Sequence, residues 1–338
     1  MVFILSAIME ETVMEDMYDK ILFSYGFKLY GFQRTRRGLI CKTDKGAKEL
    51  RKTTCDIETI SFENRVKKHL YEKGFKDLDL YLETEEGLPY YRGAENNFVL
   101  SDYILVQDTN LEDLDTAKKA VETMADMHSL SWGIQTEGKV NFGKLPLIAK
   151  KRKSELIKAK KWINSQSSYS ALDRVIIKNY AYFIDRTNRA EKFIASESYE
   201  KTTSLAIERK NICHNNFKGE NIRKKENGVH ITGFEGCAFD CGVTDLANFL
   251  RRQIKEDYCD ANRISQLMDC YNSKLTLEKF EMETLGAMIL FPAKFFKICN
   301  SFYNKRRVLV SDALLEKLKK SIAISEKEEG ILKETGLI

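Results

Sequence analysis

Proline is scarce in this sequence, with 3 in 338 residues beside 18 glycines. So little of it excludes collagen-like and proline-rich disordered chains. Long apolar runs are missing as well. No stretch approaches the roughly 18 apolar residues that a membrane helix needs. The opening Met1–Met9 is apolar, but no basic residue precedes it and Glu10 and Glu11 follow at once, which makes a poor secretory signal. Charge of one sign is not dominant either. The balance of 55 basic against 50 acidic residues leaves +5, too mild to name nucleic acid or a membrane as partner. Without export, the 8 cysteines are expected to be reduced thiols of a cytosolic protein. Cys237-x-x-x-Cys241, with Cys213-His214 upstream, fits no familiar zinc spacing, so no metal is assigned and buried thiols are expected.

What is present describes an ordinary globular chain, 43% hydrophobic and 31% charged, and too long for one compact core. Two lobes are expected, 1–106 and 107–338. The first reads as strands around one helix. Alternation at Phe27–Phe32, the segment Gly38–Thr43 and the turn Asp44-Lys45-Gly46 leading into Ala47–Lys52 give strands. Ile57, Ile60, Val66 and Leu70 mark a helix closed by Gly74, and Leu78–Leu82, Tyr90–Arg92 and Asn97–Ile104 read as further strands. Beyond Asp108 the pattern is helical. Asp115 or Thr116 is expected to cap a helix whose apolar face runs from Ala117 to His128, and Lys160–Ala195 and Tyr258–Phe296 are helical in pattern. One hairpin interrupts them: Asn221–Lys225, the turn Glu226-Asn227-Gly228, then Val229–Phe234.

The informative segment is Ile212-Cys213-His214-Asn215-Asn216-Phe217-Lys218-Gly219-Glu220-Asn221-Ile222, followed by Ile231-Thr232-Gly233-Phe234-Glu235. It resembles the catalytic core of the aminoglycoside phosphotransferase and choline kinase-like families, whose pattern is His-Gly-Asp-x-x-x-x-Asn and then Ile-Asp-Phe-Asp/Glu. Phe234–Arg252, Lys42–Gly46, His69–Phe75, Met124–Ser129 and Ile289–Phe296 carry the likeness further, to the CotS family of spore coat proteins within that superfamily. The resemblance implies an α+β, two-lobe protein-kinase-like fold, with a small antiparallel-sheet N-lobe and a larger helical C-lobe. In such kinases the first Asp accepts the substrate hydroxyl proton, while the Asn and the second Asp hold magnesium on the phosphates.

This chain departs from that pattern at two positions. Asn216 stands where the catalytic Asp belongs, and an amide does not take up a proton at neutral pH. Gly233 stands where the metal-binding Asp belongs and offers no side-chain oxygen. Asn221 matches the metal-binding Asn, Glu235 a neighbouring acidic position, and Arg51 (or Lys52, one residue on) the phosphate-pairing Lys. The turn Arg34-Thr35-Arg36-Arg37-Gly38 lacks the glycine-rich run that wraps a triphosphate. No intact catalytic residue is therefore expected, and any ATP or magnesium contact through Arg51, Asn221 and Glu235 is expected to be weak.

The resemblance implies that His214 and Asp245 brace the loop rather than react, and His128 reads as a core histidine on an apolar helix face. Lys144–Lys161, with Lys150, Lys151, Arg152 and Lys153, is either a solvated basic helix or a docking face for a polyanion such as an acidic coat protein, a glycan phosphate or nucleic acid, the last disfavoured because no aromatics are interleaved with the charges. Leu314–Glu329 reads as an exposed helix with charge pairs. The leading expectation is a pseudokinase with a structural or assembly role, made in the cytoplasm of a sporulating bacterium and held in the coat by other coat proteins. A small-molecule or protein kinase with a rearranged metal site and an ATP-binding sensor without turnover stay open beside it.

Overall fold

The computed structural model describes residues 16–226, 228–303 and 311–338. Met1–Met9, with Glu10 and Glu11, and the turn residue Asn227 lie outside them. The chain divides into two compact units. The first takes residues up to Thr109 together with Ile134–Gly138 and Gly219–Cys237, and the second takes Asn110–Gly133, Lys139–Lys218 and Ala238–Ile338.

In the first unit an antiparallel sheet has the order β1-β2-β3-β5-β4, from Leu29–Arg34, Leu39–Thr43, Gly46–Thr53, Asn97–Asp102 and Tyr91–Arg92 respectively. Strand alternation decides what each face covers. Leu50, Phe98 and Leu100 turn to Tyr18, Ile21, Leu22 and Tyr25 around the helical stretch 16–24 (α1). Val99, between Phe98 and Leu100, turns the other way and meets Ile60 of helix α2 (Ile57–Glu72) with Tyr81 and Tyr90. Asp56 starts α2 by accepting the Thr59 amide at 2.7 Å. Leu78–Leu82, expected as a strand, makes only single bridges, Leu78 to Ile231 and Tyr81 to Ser101. A second sheet of the same unit has the order β6-β8-β9, from Gln107–Asp108, Ile222–Lys225 and Gly228–Ile231. The last strand stops at Ile231 rather than Phe234. Gly233 has a left-handed backbone (φ 78°) that turns the chain into a one-turn 3-10 helix, Phe234–Gly236.

The second unit is helical. Its elements are α3 (Leu114–Ser131), α4 (Lys144–Asn164), α5 (Ala171–Ile194), α6 (Glu197–Arg209), α7 (Val243–Ile254), α8 (Ala261–Lys274), α9 (Lys279–Leu290), α10 (Ala293–Tyr303) and α11 (Asp312–Glu334). A short antiparallel pair joins β7 (Ile212–Cys213) to β10 (Ala238–Phe239). The cap of α3 is Asp113, not Asp115 or Thr116, because its carboxylate accepts the Thr116 amide at 2.9 Å. The helical pattern over 160–195 is two helices, since Ser170 and Asp173 form a capping box that starts α5 anew. The final helix is not simply exposed. Leu318, Ser321, Ser325, Glu328 and Leu332 are buried along one face, and Glu328 pairs at 2.6 Å with the fully buried Arg186 of α5. Although no unbroken apolar run reaches membrane-span length, Lys279–Tyr303 is, among the described residues, long and apolar enough by composition to cross a membrane. Pro292 parts it into α9 and α10, and 67% of its most apolar window is buried in the protein, as in core helices.

Candidate functional site

Within the first unit lies a cavity of about 500 Å³. Thr35 to Arg37 line it from the β1–β2 turn, Ile40 from β2, Glu49 from β3, and Tyr103, Ile104 and Val106 from the segment after β5. Asn221, Arg223, His230 and Thr232 complete it from the hairpin. In the kinase pattern, this is where a glycine-rich turn, a third-strand cation and a metal-binding Asn would meet a nucleotide. The turn here is already self-bonded: the amides of Arg37 and Gly38 both donate to Thr35 Oγ1 at 3.2 Å. Arg37 also reaches Thr232 Oγ1 at 3.4 Å. Burial, with Arg223 close by, holds its guanidinium below the ordinary arginine value.

On β3 the pleat settles which cation faces inward. Arg51 shares the face of Glu49, which lines the cavity, whereas Lys52 lies on the Leu50 side. Arg51 itself does not line the cavity. Its Nη2 is in an ion pair with Asp79, whose side chain is 3% exposed. Asp79 pairs in turn with Lys67 Nζ of α2 at 3.0 Å, and Lys67 pairs with Glu63 one helical turn back at 2.8 Å. The Tyr81 hydroxyl donates to Glu63 at 2.7 Å, and the Lys67 ammonium sits 3.5 Å from the centre of the Tyr81 ring. Two cations and two carboxylates thus close on one another. Burial would raise the Asp79 carboxyl, but Lys67 and Arg51 outweigh it and hold the group below its ordinary value. Burial would lower Arg51, and Asp79 overrides that in the same way. Lys67, Glu63 and Asp79 were missed in the sequence. The only local signal was Glu63-x-x-x-Lys67 at helical spacing, which reads equally well as a surface pair.

Asn221 does line the cavity, and it bears on Gly233. A Cβ at position 233 would stand 2.6 Å from the Asn221 amide group, so a side chain there requires Asn221 to shift as well as a left-handed backbone. Glu235 is exposed on the 3-10 turn and does not line the cavity.

The segment carrying Asn216 belongs to the second unit. Asp245, near the start of α7, accepts the His214 amide at 2.6 Å and the Asn215 amide at 2.8 Å. These bonds hold Asn215 in a left-handed conformation (φ 58°), which asparagine tolerates better than most residues. The Asn216 amide reaches His214 Nδ1 at 3.2 Å. His128 lies 3.2 Å from Asp245 through Nε2 and 2.8 Å from the Tyr271 hydroxyl through Nδ1. An ionised Asp245 assigns the proton to Nε2, leaving Nδ1 to accept from Tyr271. Burial would raise Asp245, but the hydrogen bond from His128 and the backbone amide of His214 hold it low.

His128, Cys213 and Asp245 form a buried cluster with ligand atoms within 4.8 Å of one another, a different grouping from the cysteine set weighed in the sequence. Its polar atoms have protein partners. The Cys213 thiol donates to the Cys241 carbonyl at 3.0 Å, and burial first of all pushes the Cys213 thiol well up, toward the protonated form that binds metal poorly. On α4 the four basic residues differ. Lys150 and Lys151 are exposed, while Arg152 and Lys153 are half-buried and paired with Glu155 at 2.8 Å and Glu191 at 2.5 Å.

Residues 24–335 match the family model described as "Spore coat putative kinase YutH". No curated protein matches the chain. Among solved structures, the chain is similar to an aminoglycoside phosphotransferase from Alicyclobacillus acidocaldarius, with TM-score 0.83, 14% identity and 94% of each chain covered. It is also similar to a spectinomycin phosphotransferase in complex with ADP and spectinomycin (TM-score 0.60, 13% identity, covering 91% of this chain and 94% of that one). A choline kinase from Cryptosporidium parvum follows at TM-score 0.52 and 10% identity, with 92% of this chain and 91% of that one covered. At these identities the likeness establishes the protein-kinase-like fold.

Proposed function

The chain belongs to the spore coat kinase family whose model spans residues 24–335, and from that premise we propose that it is a structural or assembly protein of the coat that no longer transfers phosphate. The observation that carries this reading is the closed set Arg51–Asp79–Lys67–Glu63. A third-strand cation serves phosphoryl transfer only if it can reach phosphate. Here Arg51 does not line the cavity, and the buried Asp79 that holds it is itself shared with Lys67. Asn216 in place of a general base, Gly233 packed against Asn221 and the self-bonded Thr35 turn remove three further parts. His214 and Asp245 act as braces, since the Asp245 carboxylate is consumed in fixing the loop backbone.

The cavity itself favours one second reading, a nucleotide-binding protein without turnover. Its 500 Å³ is within the range of small-molecule sites, and the Tyr103–Val106 segment runs along it. The kinase with a rearranged metal site draws less support, because Glu235 stands outside the cavity that Asn221 lines.

Made in the cytoplasm of the sporulating cell, the protein would reach the coat by docking on an acidic coat component. Lys150 and Lys151 supply the exposed charge of α4, with Lys158 and Lys161 further along it. Two measurements test the proposal. Incubation with labelled ATP and magnesium should give no transfer to sugars, choline, aminoglycosides or proteins; transfer that disappears in Asn221→Ala would overturn it. Fractionation of purified spores should place the protein in the coat extract, with Lys150→Ser/Lys151→Ser weakening its retention. A protein found only in vegetative cytosol would sink the coat role and leave the fold untouched.

A further inference from the structure

The second unit holds a cavity of about 420 Å³ that the phosphotransfer pattern does not use. Three helices build it, each by its own periodicity. Arg251 and Arg252 come from α7 and Lys255 from its C-terminal cap, Lys294 and Lys297 stand one turn apart on α10, and Ser321, Ser325 and Glu328 follow at successive turns of α11. Five cations therefore line a cavity with one carboxylate in its wall, although Lys255 also pairs with Glu256 at 2.9 Å and Arg252 donates to the Phe217 carbonyl at 2.7 Å. That carboxylate is already engaged, since Glu328 Oε2 accepts from Arg186 at 2.6 Å. Arg251 is anchored through Nη2 to the carbonyls of Ile289 and Phe291, but its buried Nε has no hydrogen-bond acceptor, and Glu328 Oε1 is 3.9 Å away. A buried guanidinium nitrogen without an acceptor calls for one.

We propose that this cavity is a binding site for a small phosphate-bearing molecule. A phosphate presents several acceptor oxygens and up to two negative charges, which suits two guanidiniums and three ammoniums around one hollow. The Ala293 end of α10 opens into it, adding the positive end of a helix dipole. A concave pocket of this volume fits a metabolite-sized ligand, whereas a polymer would call for an extended basic stripe. Crowding of like charge is felt at Lys294, whose ammonium is held below its ordinary value by partial burial and by Lys255 and Lys320. A bound phosphate would relieve that crowding.

The test is isothermal titration of the full chain with glucose 6-phosphate and with inorganic phosphate at constant ionic strength, with glucose as the neutral control. Lys294→Ser/Lys297→Ser is the main variant, because both side chains are exposed and the fold should survive their loss. The site is supported if glucose 6-phosphate binds, glucose does not, and the double variant weakens binding by about tenfold or more. Equal affinity for inorganic phosphate would assign the site to the free ion, and tighter sugar-phosphate binding to an organic phosphate; either supports the proposal. Arg37→Ser, in the cavity of the first unit, should leave the affinity unchanged. Three results would overturn the inference: no binding of either phosphate at millimolar concentration, binding abolished by Arg37→Ser but not by the double variant, or binding seen only with long polyphosphate.

Discussion

Replacing Asp79 by Asn tests whether the third-strand cation is structural or poised for a nucleotide. The amide keeps the size of the side chain but removes the charge that Arg51 and Lys67 share. At the 3.0 Å between Lys67 Nζ and Asp79, an effective dielectric of about 20 gives a gross attraction of about 5–6 kcal/mol for that pair. Desolvation offsets much of that sum in the intact network, yet the variant leaves two buried cations facing Glu63 alone. The expected loss is about 3–5 kcal/mol of unfolding free energy. Arg51→Met should cost a comparable amount, and a double-mutant cycle of the two should return a coupling of about 1–3 kcal/mol. Urea denaturation at pH 7, followed by circular dichroism and fluorescence together, measures all four states. The pH sign is fixed too. Asp79 holds its proton less readily folded than unfolded, so its stabilisation is present above the unfolded carboxylate value near 4 and fades as pH falls through the lower, folded one. Asp79→Asn should lose that part of the acid dependence. If Arg51→Met leaves stability unchanged and instead abolishes stabilisation by ATP, the closed network is refuted and Arg51 is a phosphate ligand.

Two other perturbations address separate parts of the molecule. Gly233→Asp must force a Cβ against the Asn221 amide from a left-handed backbone, so it should cost about 1–3 kcal/mol and, even combined with Asn216→Asp, restore no phosphate transfer; magnesium-dependent labelling by the double variant would contradict this. Burial first of all pushes the Asp240 carboxyl up to about 6, so the folded protein takes up its proton before the unfolded chain does and stability should fall as pH rises from about 4 to 6. Asp240→Asn, which keeps the oxygen that accepts the Cys241 amide, should flatten that slope and gain about 1 kcal/mol at pH 7 in urea melts; an unchanged slope would place the titration elsewhere.

The order of elements was legible because it rests on local chemistry. Alternation along the strands of Leu29–Thr53, helical spacing from Ile57 to Leu70 and the turn at Gly46 each show among near neighbours in the chain. So did the two substitutions that matter most, Asn216 and Gly233, because a motif of fixed spacing surrounds them. Errors arose at element ends, where one side chain decides. Asp113 capped α3 because its carboxylate reached the Thr116 amide, and α5 began afresh at Ser170 because Asp173 could answer it.

The amino-acid sequence by itself determined the fold family and that Asn216 and Gly233 stand where the kinase pattern has carboxylates. Only the tertiary structure decided that Arg51 is spent on Asp79, 28 residues away, and that Lys67 completes the pair. It also decided that Asn221 fills the space beside Gly233, and that basic residues from α7 and α10 surround one cavity. The physical reason is range. Periodicity and caps act through neighbours along the chain, whereas a buried charge takes as partner whichever group packing brings within about 3–4 Å, however distant in sequence.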